Sequence, residues 1–286
     1  MLSTDTTYAY VHGEFVPLNK AFLHVSDLSI QRGYGIFDFL KVQDGHPLFL
    51  NDYLQRFYNS AALMELPVPF STGELAAIIY ELIQKNNLEL SGIKMILTGG
   101  YSANGYEPAA PNLLMIQQPL SLPGKEQLKA GVKVITHDYV REIPTAKTIN
   151  YSVGIKLIKQ IKAKGADDVL YQHNGVVTEF PRCNFFIVRH DNTVVTPNKD
   201  ILFGVTRKHV LELAGSKYKI EEGEVTLVAI QEAKEAFLTS TTKRILPVVE
   251  VDGKPVGDGK PGAVTLSLLD DLIALEKTQL SAPVQY

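Results

Sequence analysis

At 286 residues, with 45% hydrophobic and 21% charged residues, the chain has the length for a well-buried core and two domains, and the composition of a globular protein. Its 28 basic and 31 acidic residues are well mixed and leave a net charge of −3, which gives no footprint for nucleic acid or an anionic membrane. The single cysteine, Cys183, excludes an internal disulfide framework; there is no apolar run of roughly eighteen residues, and Met1 to Thr7 lacks both parts of a secretory signal, so a cytoplasmic location is expected.

Tyr8–Val11 and Phe15–Leu18, joined by His12-Gly13, predict a short hairpin. Gly35–Val42 reads as a strand, with Asp44-Gly45 as a turn after it. The spacing of Leu54, Phe57, Tyr58 and Ala61 predicts a helix that leaves Arg56, with Asp52 and Asn59, on its polar side. Leu75, Ile78, Ile79, Leu82 and Ile83 predict a second helix over about Thr72 to Lys85. Ile93–Thr98 alternates as a strand with Lys94 facing away from Met95; Gly99–Tyr106 is a loop and Leu113–Ile116 its returning strand.

Prolines, glycines and charges between Gln118 and Gly131 interrupt all periodicity. We therefore expect a small α/β domain over 1–120, a linker over 121–131 and a larger strand-rich domain over 132–286, in total an α/β (α+β) architecture. In the second part, strands are expected at Val132–Thr136, Asp168–Gln172, Val176–Thr178, Asn184–Val188 and Thr193–Val195, with Asn174-Gly175 and Asp191-Asn192 as turns. Helices are expected near Val153–Lys164, Thr206–Ala214 and Gly262–Lys277.

Two segments stand out chemically. Lys147 lies in Ala146-Lys147-Thr148-Ile149-Asn150-Tyr151, and Glu179 follows in Glu179-Phe180-Pro181-Arg182-Cys183-Asn184. A lysine in an apolar-flanked turn can form an imine with an aldehyde, and a carboxylate can hold a pyridine nitrogen protonated; these are the protein's two main contributions to pyridoxal phosphate (PLP) chemistry. Leu202-Phe203-Gly204-Val205-Thr206-Arg207 is a glycine turn opening a helix, either an ordinary helix start or an anion site made of free N–H groups and the Thr206 hydroxyl. Thr239-Ser240-Thr241-Thr242-Lys243 is a second donor-rich segment, and Arg56 can supply the charge that a buried phosphate dianion requires. The seven histidines show no metal spacing, so no metal is expected, and Cys183, with no paired base in view, reads as a small semi-buried residue.

In order along the chain, Arg56 in Leu54-Gln55-Arg56-Phe57-Tyr58, Lys147 with Asn150, Glu179 with Asn184, Gly204-Val205-Thr206-Arg207 and Thr241-Thr242 resemble the class IV, fold-type IV PLP enzymes. The likeness, running from about Gly13 to Pro247, is to the branched-chain and D-amino acid aminotransferases, with aminodeoxychorismate lyase as a relative. It implies that Lys147 holds PLP as an internal aldimine and moves the proton, and that Glu179 bonds the pyridine nitrogen. It further implies that Arg56, Val205, Thr206, Thr241 and Thr242 bind the phosphate, that Asn184 belongs to the cofactor site, and that Tyr151 approaches the phenolic oxygen. Two features depart from the family: Pro181 stands where a small or apolar residue is usual, and only five residues separate Thr196 from Leu202.

The substrate signatures are mixed. Phe37 matches the branched-chain enzymes, as does Asn150-Tyr151; the D-amino acid enzymes commonly have tyrosine at the first position and an Arg-x-His in the loop that here reads Tyr101–Tyr106. The spacing of Lys147 to Asn150 and the Ser-Thr-Thr segment lean to the D side, while Lys94 and Gly105-Tyr106 resemble the lyases. Candidate cations for a substrate carboxylate are Lys94, Lys243 and Arg32, the last on a loop that in this family reaches the neighbouring subunit. The expectation is a homodimeric transaminase acting on an amino acid, D slightly favoured over branched-chain L, and a 2-oxo acid. A lyase and a noncatalytic PLP-binding scaffold are the alternatives.

Overall fold

The computed structural model describes residues 7–280, so the first six residues of the segment read as lacking a signal, and the last six of the expected larger domain, lie outside the described residues. The chain forms two compact units. One runs to Ser121 and also takes up Ala146–Asn150 and the chain from Lys277; the other comprises Leu122–Thr145 and Tyr151–Glu276.

The first unit holds β1 (Tyr8–Val11), β2 (Glu14–Pro17), α1 (Leu28–Arg32), β3 (Gly35–Gln43), β4 (His46–Pro47), α2 (Leu50–Leu63), α3 (Thr72–Asn86), β5 (Leu90–Thr98) and β6 (Leu113–Pro119). Its six strands form an antiparallel sheet in the order β2-β1-β6-β5-β3-β4. Alternation decides which face is buried. Ile36, Asp38, Leu40 and Val42 of β3, with Ile93, Met95 and Leu97 of β5, lie at the core face packed by the helices, where Leu54, Phe57, Leu75, Ile79 and Leu82 are also buried. The opposite face carries Phe37, Phe39 and Lys41 of β3 and Lys94 and Ile96 of β5, since Phe37 pairs with Ile96 and Phe39 with Lys94. Gly92 makes room for this arrangement, because a Cβ there would come 1.9 Å from Phe39 Cζ.

Two sequence expectations change here. Arg32 ends the short helix α1, capped by the Asp27 carboxylate and closed by Gly33 at φ 66°, instead of lying on a loop. Arg56 is half-buried and turned toward Asp38, away from the solvent side where Asn59 lies.

The second unit holds α4 (Lys125–Ala130), which occupies most of the expected linker, then β7 (Val132–Asp138), α5 (Ser152–Ala163), β8 (Asp168–His173), β9 (Val176–Val177), β10 (Asn184–Val188), β11 (Val194–Thr196), α6 (Val205–Gly215), β12 (Ile220–Glu222), β13 (Val225–Thr226), α7 (Leu227–Gln231), β14 (Glu235–Ser240), β15 (Arg244–Val251), β16 (Lys254–Pro255) and α8 (Ala263–Leu280). One mixed sheet runs β12-β11-β10-β14-β15-β7-β8-β9-β13, with β16 beside β15. Phe185, Ile187, Leu238, Leu246 and Val248 build the core on one face, while Phe186, Val188, Phe237 and Ile245 pack with Val210 of α6 and Leu268 and Leu272 of α8 on the other. Among the described residues no helix is long and apolar enough to cross a membrane.

The start of α8 depends on one buried acid. Glu235 accepts hydrogen bonds from Val264 N at 3.1 Å, Thr265 N at 2.8 Å and Thr265 Oγ1 at 2.8 Å. Gly262 is obligatory beside it, since a Cβ would fall 1.9 Å from Glu235 Cδ. Glu235→Ala leaves buried N–H donors unpaired, and a loss of about 2–3 kcal/mol is expected in urea unfolding; an unchanged midpoint would show that water takes over the cap.

Candidate active site

The segment Ala146–Asn150 is fastened to the first unit's sheet as an extra bridge. Phe37 N donates to the Lys147 carbonyl at 2.9 Å, Ile149 N to the Gly35 carbonyl at 3.1 Å, and Lys147 N to Ser60 Oγ at 3.1 Å. Gly35 permits the close approach, as a Cβ would sit 2.8 Å from Leu97 O and 3.2 Å from Ile149 Cδ1. The backbone of Lys147 is therefore fixed on both sides and its half-buried side chain projects over the Phe37 ring, Nζ lying 4.6 Å from the centroid. Lys94 Nζ lies 5.6 Å from the same centroid. Three of the expected site residues, Phe37, Lys94 and Lys147, thus converge. Arg56 is held in a fork by Asp38, with Nε to Oδ2 at 2.9 Å and one terminal nitrogen to Oδ1 at 2.6 Å. Arg32 is exposed and donates to the Gln31 carbonyl.

In the second unit Glu179 is buried, and both of its oxygens are occupied. Oε1 accepts from Arg141, at 2.8 Å from Nε and 2.6 Å from a terminal nitrogen, while Oε2 accepts from Leu202 N at 2.9 Å. Its main chain is pinned by Tyr171 N, which donates to the Glu179 carbonyl at 2.9 Å, and by the tight turn in which Phe180 N donates to the Cys183 carbonyl at 2.9 Å. Pro181 lies in that turn and packs against Gly154, so the departure at this position falls outside any strand. Arg141 also donates to the Pro144 carbonyl.

Asn184, at the start of β10, donates through Nδ2 to the Leu202 carbonyl at 2.7 Å. It thereby shapes the turn leading into α6, whose first residues are Val205 and Thr206. No side chain caps that helix, and a Cβ on Gly204 would lie 2.2 Å from Asn184 Oδ1. Thr241 and Thr242 are half-buried in the turn between β14 and β15, and Tyr151 is half-buried at the N-cap of α5. Thr239, beside Asn184 in the sheet, has a buried hydroxyl without a hydrogen-bond partner.

Lys243, expected as a substrate cation, is engaged within the protein. Its ammonium lies 3.0 Å from Asp168 Oδ2, with which it forms an ion pair. Burial opposes its charge, but Cys183 and Asp168 outweigh burial and raise its pKa. Cys183 is buried, not semi-buried, and burial pushes its thiol up.

A model of the family described as Amino-transferase class IV matches residues 35–251. The chain belongs to the class IV aminotransferases. It is 28% identical to a D-alanine aminotransferase of Bacillus licheniformis, over 89% of this chain and 92% of that protein. It is 29% identical to a putative branched-chain-amino-acid aminotransferase of Methanocaldococcus jannaschii, over 91% of this chain and 93% of that one. A branched-chain amino acid aminotransferase of the organism abbreviated T.th., solved with pyridoxamine 5'-phosphate, superimposes with a TM-score of 0.89 at 25% identity, covering 97% of this chain and 96% of the other. The fold is that of fold-type IV, a smaller N-terminal α/β region and a larger strand-rich domain, and the chain is a PLP-dependent transaminase.

For a class IV aminotransferase the local geometry fits the cofactor. The uncapped start of α6 offers backbone N–H groups to an acceptor, as a phosphate requires, and the buried Glu179 carboxyl, held in place by Arg141 and Leu202 N, suits a pyridine nitrogen. Gly204→Ala is expected to weaken PLP retention by about tenfold or more, since the new methyl displaces Asn184 and the turn with it. Dialysis followed by fluorescence titration with PLP measures this, and wild-type retention would remove the turn from the phosphate site.

Asp38 and Arg141 escaped the sequence reading. The one available signal for Asp38 was an acid at an inward-facing strand position, between Ile36 and Leu40. Arg141 sits in an irregular stretch that carries no signal.

Proposed function

We propose that this transaminase moves an amino group between a D-amino acid and a 2-oxo acid, works as a homodimer in the cytoplasm, and uses Lys147 as its PLP-bearing and proton-transferring residue. The observation that carries an amino acid as substrate is the pair of ammonium groups over Phe37. The α-carboxylate of an amino acid lies one bond from the carbon that Lys147 must deprotonate, and Lys94 places a cation at the same ring. The D-alanine aminotransferase relatives support the D side. Phe37 itself and the structural likeness to branched-chain enzymes support L-branched-chain donors as the second reading.

Bound PLP supplies an electron-poor ring that stabilises negative charge at the substrate α-carbon. Lys147 shuttles the proton between that carbon and C4′ of the cofactor. Glu179, oriented by Arg141 and the Leu202 N–H, accepts a hydrogen bond from the pyridine nitrogen. Arg56, Val205, Thr206, Thr241 and Thr242 bind the phosphate, Asn184 shapes its turn, and Tyr151 meets the phenolic oxygen. Lys94, and Arg32 across a dimer, meet the substrate carboxylate; Lys243, ion-paired with Asp168, is the third candidate cation.

Half-reactions followed by absorbance with D-alanine, D-glutamate, L-leucine and L-valine test the proposal. Turnover of the D-donors alone supports it, and turnover of the L-donors alone replaces it with the branched-chain reading. Pyruvate release from aminodeoxychorismate without an amino acceptor would favour the lyase.

A further inference from the structure

Asp27 is fully buried, yet its partners are all neutral. Oδ1 accepts from Ser29 N at 2.8 Å, and Oδ2 accepts from Thr98 Oγ1 at 2.7 Å and Asn112 Nδ2 at 2.8 Å. A buried carboxylate without an ion pair is costly and calls for a reason. The reason lies in what it joins. Ser29 is in α1, Thr98 ends β5, and Asn112 closes the loop that begins at Gly99.

Around this carboxylate the two segments are zipped together by main-chain bonds. Leu28 N donates to the Gly100 carbonyl at 3.0 Å, Gly99 N to the Tyr34 carbonyl at 3.1 Å and Ser102 N to the Ser26 carbonyl at 3.2 Å. Asp27 and Tyr101 form an isolated bridge. The contact is too close for substitution at Gly99, where a Cβ would sit 2.7 Å from Tyr34 Cδ1 and 3.1 Å from Leu28 Cβ. Helix α1 has only five residues and no stability of its own, so its position is set by this fastening. Its last residue is Arg32.

We propose that Asp27 is a positioning residue of the transamination reaction. It locks α1 and the Gly99–Tyr106 loop into one rigid piece, and so fixes the direction in which Arg32 is presented to the substrate carboxylate. The proposal rests on the reading of Arg32 given above. Asp27→Asn replaces an acceptor oxygen by an NH2 group among three donors, which unfastens the helix without removing a group that touches substrate.

The test is a double-variant cycle on the PLP-loaded enzyme, with D-alanine as donor, or L-leucine if D-alanine is not turned over, and 2-oxoglutarate as acceptor. Asp27→Asn should raise the donor KM about tenfold with kcat within about twofold, and leave the PLP absorbance unchanged. Thr98→Val, which keeps the shape and loses both the bond to Asp27 and the acceptor of Gly100 N, should show a rise of the same kind. In an Arg32→Ala background Asp27→Asn should add nothing. Additive effects in the double variant, or a lowered Tm with KM unmoved, would overturn the proposal. Should Asp27→Asn fail to fold, Thr98→Val against Arg32→Ala completes the same cycle, with the same outcomes deciding. An Arg32→Ala enzyme with unaltered KM would remove both Arg32's role and this proposal, whereas an impaired Arg32→Ala beside an unimpaired Asp27→Asn removes this proposal alone.

Discussion

Lys147→Ala is expected to lower the transamination rate by about 10³-fold or more while leaving the fold intact. The Lys147 backbone is held by the Phe37 N–H, by Ser60 Oγ and by the neighbouring Ile149–Gly35 bond, none of which involves its side chain. Truncation therefore removes the amine and its contact with the Phe37 ring and leaves these main-chain bonds in place. Circular dichroism and Tm should stay close to wild type. Borohydride treatment of the PLP-loaded variant should fix no cofactor at Ala146–Asn150, as read by peptide mass. Retention of a borohydride-reducible label elsewhere, with activity preserved, would mean that another lysine carries the chemistry.

Regular periodicity made much of the fold legible. Strands β3 and β5 follow from alternation, α2 and α3 from apolar spacing, and the β8–β9 hairpin from Asn174-Gly175, whose residues adopt φ 50° and 81°. Elements lacking a period were not foreseen. Helix α1 is one turn long, and β15 contains Pro247, a residue that argues against a central strand, although there it pairs with Phe237. Of the proposed site, the sequence pointed to residues whose type suits the chemistry, Lys147 and Glu179. It was silent where a buried charge holds another group. Asp38 lies 18 residues from Arg56, Arg141 lies 38 from Glu179, and Asp27 lies 71 from Thr98, separations that no local pattern encodes. Asp168, the partner of Lys243, is likewise 75 residues away.

The Arg141–Glu179 pair should give the second largest effect, and its two halves should fail differently. Both side chains are nearly buried, at 12% and 5% exposure, so removing either partner leaves a charge that water cannot fully solvate. Glu179→Gln strands the Arg141 guanidinium and loses the negative charge that holds the pyridine nitrogen protonated. Its kcat should fall about 10²-fold or more while PLP is still retained, because the phosphate contacts are untouched. Arg141→Leu strands the carboxylate instead, with the Leu202 N–H as its remaining donor among these contacts. The carboxylate also loses the fork that fixes its direction, so kcat of Arg141→Leu should fall about tenfold with PLP still retained. Arg141→Lys, which keeps a cation there but gives up the fork, should lie between Arg141→Leu and wild type. Steady-state kcat of the three variants beside PLP titration measures this. An Arg141→Leu enzyme with wild-type kcat would show that Arg141 serves only to pack the Pro144 turn and does not act through Glu179.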